Sequence, residues 1–161
     1  MAKRRNYNGV QINPSATIVE KAGIDIEDVR NRIVKYDENG DVVLAAAGTD
    51  IPVGVAIIEA GYNDISGVEA GKVKKGNDVD IVIKDMTVVL AGAAIKKGQE
   101  VAAGAEGLAA PAAGGDYVIG FALDNAEADE YLPIQIAKFQ KAGASATGGG
   151  DQMVDEGDTT E

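Results

Sequence analysis

The chain has 161 residues, of which 45 % are hydrophobic, and a formal net charge of −11. It contains no Cys and no His, which excludes Cys/His zinc sites, thiolate nucleophiles, disulfides and Ser–His or Cys–His catalysis. No run approaches the about 18 apolar residues of a membrane span, and no apolar stretch follows the basic start, so no secretory signal is predicted.

The composition predicts a thin core. Only 4 % of the residues are aromatic, and much of the hydrophobic fraction is Ala. The 21 Gly are about twice the average frequency. We therefore expect short strands, many turns and stabilisation by a partner.

Residues 1–35 are predicted to form an N-terminal arm. The segment from Asn6 to Pro14 is polar and extended in character, and Pro14 favours a turn or an edge position. Ile26, Val29 and Ile33 follow helical spacing and allow a short helix, although a strand beginning near Arg32 fits as well.

Residues 36–141 are predicted to be an all-β body, either a small β-barrel or a β-sandwich. Short Val- and Ile-rich runs alternate with Gly, Asp and Asn. Asn39-Gly40 favours a two-residue hairpin turn, because both residues tolerate a positive φ. The predicted strands are Ile33–Tyr36, Val42–Ala46, Pro52–Glu59, Asp78–Lys84, Thr87–Leu90, Glu100–Ala103, Tyr117–Asp124 and Leu132–Phe139.

Residues 142–161 are predicted to be a flexible, acidic C-terminal tail. A Gly-rich linker leads to a segment with five Asp or Glu and no Lys or Arg, in which Met153-Val154 is the single apolar pair. This composition is typical of a disordered segment.

Two internal sequence repeats indicate a duplicated β-unit, although the residue preferences of strands and turns alone could also produce them. One is the pattern [VI]-K-K-G-[NQ]-[DE]-V, at Val73–Val79 and Ile95–Val101. The other is D-x-x-[VI]-G-[VF]-A-[IL], at Asp50–Ile57 and Asp116–Leu123.

No motif supports an enzyme, a cofactor or a metal. The Asp37–Gly48 segment begins like a calcium loop but has Gly48 where a bidentate Glu is needed. The Gly71–Gly76 and Gly115–Gly120 spacings lack the Lys of a phosphate loop. The acidic stretch Asp124–Glu130 could bind a cation, but it is more typical of a solvated loop. The Lys-Lys-Gly turns leave open a lipoyl- or biotinyl-type carrier, which an intact mass would test.

Nucleic acid is not an expected partner, because phosphate binding depends on positive charge and the body is acidic. The exception is the Lys3-Arg4-Arg5 cluster, which could contact nucleic acid or an acidic protein, or simply keep the terminus solvated.

The stretch from Asn39 to Ile136 resembles the head decoration proteins of tailed bacteriophages, also called capsid cement proteins. Four segments carry the resemblance. They are Asn39–Ala45, Asp50–Ala56, Val88–Gly98 and Asp116–Leu123, the last of which precedes the closing strand Leu132–Ile136.

The resemblance implies a non-enzymatic virion protein, made in the cytoplasm of the bacterial host, that binds the outside of the assembled capsid and stabilises it. The implied partners are the major capsid protein and further copies of the chain, as a dimer or trimer, with no membrane or nucleic acid. The alternative is another phage structural or oligomeric β-rich module, such as a tail or surface-array component.

The arm supplies the predicted partner-binding residues. Its apolar side chains could add a strand to a neighbour's sheet edge through main-chain hydrogen bonds, and its basic residues could contact an acidic surface. The predicted residues are Arg4, Arg5, Tyr7, Val10, Ile12 and Ile18.

Overall fold

The computed structural model describes residues 16–58, 60–61 and 70–143, and these form an almost purely β structure. The all-β prediction is confirmed. A 3₁₀ segment, Ala105–Gly107, is the one helical element in these ranges. The strands are β1 (Thr17–Lys21), β2 (Ile33–Tyr36), β3 (Val42–Leu44), β4 (Gly54–Ala56), β5 (Asp78–Val82), β6 (Met86–Leu90), β7 (Glu100–Ala103), β8 (Ala109–Pro111), β9 (Tyr117–Ala122) and β10 (Tyr131–Gln140).

The strands form two antiparallel sheets with one topology. The first half of the chain gives the order β1-β5-β4-β2-β3, and the second half gives β6-β10-β9-β7-β8. Numbered from the start of its own half, each sheet has the order first, fifth, fourth, second, third. This identity supports the predicted duplication. The sequence repeat at Asp50–Ile57 and Asp116–Leu123 falls on equivalent strands, β4 and β9. The Lys-Lys-Gly repeat falls in the loops before β5 and β7, and these two strands are not equivalent.

Each sheet curls until its two edge strands meet, so each half is a small barrel. In the first half Ala22, just after β1, makes a parallel bridge to Val42 of β3, and in the second half Ala91 makes the same bridge to Ala109. The next residue repeats one hydrogen bond in both halves, since the amides of Gly23 and Gly92 each donate to the bridged residue's carbonyl at 2.8 Å. The matching contacts make β1 equivalent to β6 and β5 equivalent to β10.

Aliphatic side chains fill the two barrels, as the composition predicts. The two Phe stay outside these cores and stack on each other with ring centroids 5.8 Å apart. The first cluster contains Ala22, Ile26, Val29, Val34, Val42, Ala56, Ala60, Val73, Val79 and Ile81. The second contains Ile33, Ala45, Val55, Val89, Ala91, Ile95, Val101, Ala103, Ala109, Ile119, Ala122, Ala126, Leu132 and Ile134.

The two halves pack against each other, and Asn31 joins them. Ile33 and Val55 come from the first sheet but belong to the core cluster of the second half. Asn31 is 5 % exposed and has a φ of 55°. Its amide donates to the Ala56 carbonyl in its own half, at 3.0 Å. Its side-chain Nδ2 donates to the Val88 carbonyl in the other half, at 2.9 Å.

The short helix that the spacing allows within residues 23–34 is wrong, and the alternative, a strand beginning near Arg32, is confirmed by β2 (Ile33–Tyr36). Ile26 instead makes an antiparallel bridge to Val73, and Val29 is fully buried in the first barrel. These side chains fit helical spacing because they are the buried positions of an irregular segment lying against the barrel.

The range predicted as an arm divides into two parts. Residues 17–35 contribute β1, the connection after it and most of β2 to the first half. Residues 1–15 and the predicted tail from residue 144 onward lie outside the described residues.

The turn between β2 and β3 has three residues, so the predicted two-residue turn is wrong. The Asp37 amide bonds to the Asp41 carbonyl, and the Gly40 amide bonds to the Asp37 carbonyl. Gly40, with a φ of 84°, takes the left-handed position. A type I turn followed by such a glycine is the usual three-residue hairpin.

Candidate partner-binding surfaces

An exposed apolar face lies on the outside of the second barrel, at its border with the first half. Met86 and Val88 are two residues apart on β6 and point outward, because Val89, the residue after Val88, is buried in the core. Tyr131 of β10 pairs with Leu90 at the end of β6. Ile58 lines a cavity together with Val88 and Tyr131. Met86 is 69 % exposed, Tyr131 62 % and Ile58 53 %. We call Ile58, Met86, Val88 and Tyr131 the apolar face.

The equivalent surface of the first barrel is polar at the end of β1. Leu90 pairs with Tyr131 at the end of β6, and the equivalent pair at the end of β1 is Lys21 with Asp78. These two side chains form an exposed ion pair with an N–O distance of 2.5 Å. The same fold is therefore compatible with charged side chains at these positions, and packing alone does not require apolar ones.

An ion pair stands at the rim of the apolar face. The Arg30 guanidinium donates two hydrogen bonds to Asp28, at 2.9 and 2.8 Å, and lies near Tyr131. Burial acts to raise the pKa of Asp28, but its hydrogen bonds and charge interaction with Arg30 outweigh burial and lower it. The pair stays charged at neutral pH and gives the face a polar border.

A second surface is a groove at one end of the first barrel. Ile18, Val53 and Ile83 are only partly buried against the core there, and Ile51 is 66 % exposed. We call this the terminal groove. It is lined by Ile18, Lys35, Tyr36, Thr49, Asp50, Ile51, Pro52, Val53, Ile83 and Lys138.

Two lysines supply the positive charge of the terminal groove. Lys35 forms an ion pair with Asp50 at 2.7 Å, and Asp50 also accepts from the Ala46 amide at 2.7 Å. Burial acts to raise the pKa of Asp50, but the Lys35 bond and the loop amides lower it. Lys138 donates to the Val53 carbonyl at 2.8 Å, and partial burial lowers its pKa.

Of the predicted partner-binding residues the structure describes Ile18 alone. It lies in β1, where it pairs with Ile81 of β5 in the same chain and lines the terminal groove. The other five, Arg4, Arg5, Tyr7, Val10 and Ile12, lie outside the described residues. The apolar face was missed by sequence reasoning. The available signal was Met86–Leu90, where apolar side chains occupy both faces of one short strand.

The described residues contain no group of three or more acidic side chains positioned to hold a metal ion. In the acidic stretch Asp124–Glu130, side-chain carboxylates accept backbone amides locally, as Glu130 does from Glu127 at 2.8 Å. Across the same part of the chain, no helix has the length and hydropathy needed to cross a bilayer.

Two aliphatic barrels with an apolar outer face define a β-rich module with surfaces suited to protein contacts. Comparison with family models identifies its class: residues 13–138 match the model described as XM1 gp53 minor capsid protein. The chain belongs to this family and is a bacteriophage capsid-associated protein. No curated protein sequence matches it.

A solved structure shares the fold. It is the N base of head fiber gp8.5 of bacteriophage phi29, with a TM-score of 0.56 and 24 % sequence identity. The match covers 75 % of this chain and 92 % of that one.

Proposed function

We propose that this protein is a decoration, or cement, protein that binds the outside of the assembled phage capsid and stabilises the shell without catalysing a reaction. Its partner is the major capsid protein, and several copies of the chain associate on the particle. Membership of a minor capsid protein family supports a location on the phage capsid. The observation that carries the proposal is the apolar face, whose Tyr131 pairs with Leu90 at the position where the first half has the exposed ion pair Lys21–Asp78.

The apolar face has the chemistry of a protein contact. Fully burying an exposed side chain of the size of Met contributes about 1.5–3 kcal/mol, and Tyr is among the residues enriched at the centre of interfaces. A polar rim such as Arg30–Asp28 is also typical of such sites. An assembled shell offers many copies of one binding site, so an oligomer of this chain would engage several sites at once and modest affinity for each contact would suffice.

The predicted arm contributes a second contact in this proposal. Arg4, Arg5, Tyr7, Val10 and Ile12 extend the chain beyond β1, where main-chain hydrogen bonds to a neighbouring sheet edge would add affinity. Deleting residues 1–13 is expected to weaken capsid binding more than it lowers the melting temperature of the body.

The test transfers the first-half residues onto the second half. Leu90→Lys with Tyr131→Asp recreates the Lys21–Asp78 pair at the equivalent position. We expect a folded protein whose cosedimentation with undecorated capsids at micromolar concentration is strongly reduced. The matched control is Val19→Thr, an exposed outward substitution in the first half, which should bind like the unchanged chain.

Three outcomes contradict the proposal. The unchanged chain does not sediment with capsids, or the charged double variant binds as tightly as the unchanged chain. The third is a double variant that dissociates a capsid-free oligomer while its subunits still bind capsids, which would assign the apolar face to contacts between copies. Circular dichroism of each variant verifies that it is folded.

A further inference from the structure

The terminal groove lies where both ends of the described chain converge. The Ile83 amide donates to the carbonyl of Ala16, the first described residue, at 2.9 Å. Near the other end of the described chain, the Lys141 amide donates to the Asp116 carbonyl at 2.8 Å. Tyr117, the residue after Asp116, donates its amide to the Gly48 carbonyl. Gly48 precedes the loop that forms one wall of the groove.

Contacts at the end of β10 fix the position at which the described chain ends. Lys141 is held by an ion pair with Glu100 at 2.6 Å and by a hydrogen bond to the Ala112 carbonyl. Lys138, three residues earlier, lines the groove itself. The described chain ends two residues after Lys141, at Gly143. Whatever follows Gly143 therefore starts beside the groove.

The groove has the chemistry of a site for an acidic segment with a short apolar pair. Ile18, Ile51 and Ile83 provide exposed or partly buried aliphatic surface. The Lys138 ammonium stands on the rim and is partly desolvated, and its described partner is a neutral carbonyl. A carboxylate beside that ammonium would add a charge-assisted hydrogen bond, which is about twice as strong as a neutral one.

The sequence after Gly143 contains such a segment. Met153-Val154 is flanked by Asp151, Asp155 and Glu156, and a Gly-rich linker precedes it. The ten-residue span from Gly143 to Met153 has a root-mean-square length of about 17 Å as a flexible chain. Such a tether gives an effective concentration in the millimolar range. The N-terminal segment suits the groove less well, because Lys3, Arg4 and Arg5 would approach its lysines.

We propose that the acidic C-terminal segment docks into the terminal groove of its own molecule, with Met153-Val154 against the exposed Ile51 and the partly buried Ile18 and Ile83, and with the flanking carboxylates beside Lys138. The tail then covers apolar surface at the open end of the first barrel. The groove is separate from the apolar face, so this docking does not depend on the capsid-binding proposal.

The absence of Cys and Trp from the chain permits a clean contact measurement. A bimane dye is attached to the full chain at Thr49→Cys, an exposed groove residue, and its quencher is introduced as Met153→Trp. We expect severalfold stronger quenching than in the control with Thr160→Trp, in which the quencher is on the same tail but away from the apolar pair. Salt, or Lys138→Gln, should weaken the quenching.

Further measurements separate the possible occupants. Quenching that is independent of protein concentration is expected for docking within one molecule. Quenching that rises with concentration would assign the tail to a second copy and overturn the proposal, and so would equal quenching by the two Trp positions. Deleting residues 1–13 should leave the signal unchanged, and a rise would show that the arm competes for the groove.

A label-free measurement uses the unlabelled chain. Removing residues 144–161 should shift the NMR resonances of Ile51, Val53 and Ile83, and the double variant Met153→Ser with Val154→Ser should reproduce those shifts. Resonances that are unchanged by the truncation contradict the proposal.

Discussion

Asn31 combines a left-handed backbone with a hydrogen bond between the two halves, and two substitutions separate these contributions. In the equivalent turn of the second half the residue is Gly98, with a φ of 83°. Its amide donates to Ala122 just as the Asn31 amide donates to Ala56. The backbone at this site therefore requires a positive φ in both halves, and Asn31 adds the side-chain bond to Val88.

The expected magnitudes follow from these contacts. Asn31→Ala removes the bond to the Val88 carbonyl, at about 1–3 kcal/mol for a group left without its partner. Ala also tolerates the left-handed region less well than Asn, whose Cβ is already accommodated there, at about 1 kcal/mol. The total is about 2–4 kcal/mol. Asn31→Gly loses the same bond but avoids the steric cost, while Gly costs about 0.5–1 kcal/mol in chain entropy. It should therefore be less destabilising than Asn31→Ala by up to about 1 kcal/mol.

Urea unfolding followed by circular dichroism measures both variants, and a constant slope licenses the comparison of midpoints. Asn39→Ala is the control, because Asn39 lies in the exposed hairpin turn and its side chain bonds locally, to Asp37 of the same turn. It should change stability by less than about 0.5 kcal/mol. Asn31→Ala with unchanged stability, or Asn31→Gly less stable than Asn31→Ala, would refute the reasoning.

Three further predictions concern the barrels. Gly120→Ala should destabilise by about 1–3 kcal/mol, because its Cβ would meet the Gln135 backbone carbonyl, whereas Gly143→Ala meets no atom and should be neutral in thermal melts. Because the pKa of Asp50 is lowered in the folded state, its carboxylate stabilises the fold at pH values above its ordinary pKa of 3.8. This stabilisation is lost as the pH falls through the lower pKa of the folded state. The stability gap to Asp50→Asn, measured by urea titrations, should therefore shrink below about pH 4, and a gap that widens there contradicts this sign. Ile81→Ala and Ile134→Ala, at equivalent positions in the two cores, should each cost about 2–5 kcal/mol in one common calorimetric transition, and two separate transitions would show that the halves unfold independently.

Strands were well predicted where β-branched residues or a preceding turn signal mark them. Ile33–Tyr36, which begins with Ile-Val, and Glu100–Ala103, which follows a Lys-Lys-Gly turn, were predicted with their observed bounds. The strand β8, Ala109–Pro111, was missed because Ala has a low β propensity and Pro cannot donate to a ladder. The strand β1 was missed because five residues with alternating polarity give little signal in a segment rich in polar residues.

The candidate surfaces could not be predicted in the same way. A run such as Thr87-Val88-Val89-Leu90 does not reveal which side chains face the core, because both faces of the strand are apolar. Which side chains are buried depends on Leu132 and the other residues that pair across the sheet, and these lie far away in sequence. The contrast between Lys21 and Leu90 becomes visible only when the two halves are aligned by their shared hydrogen bonds.

The common strand order also bears on how the chain assembles. The chain connection between the two like barrels is only Ile83, Lys84 and Asp85, so the molecule has the organisation of a dimer whose subunits have been fused. A short tether replaces a bimolecular encounter by an intramolecular one, and the pairing of the halves becomes independent of protein concentration. Once the subunits are fused, their surfaces can diverge, because a substitution in one half no longer appears in the other. An apolar face on one barrel and an ion pair on its counterpart are the kind of asymmetry that a homodimer with identical subunits cannot encode.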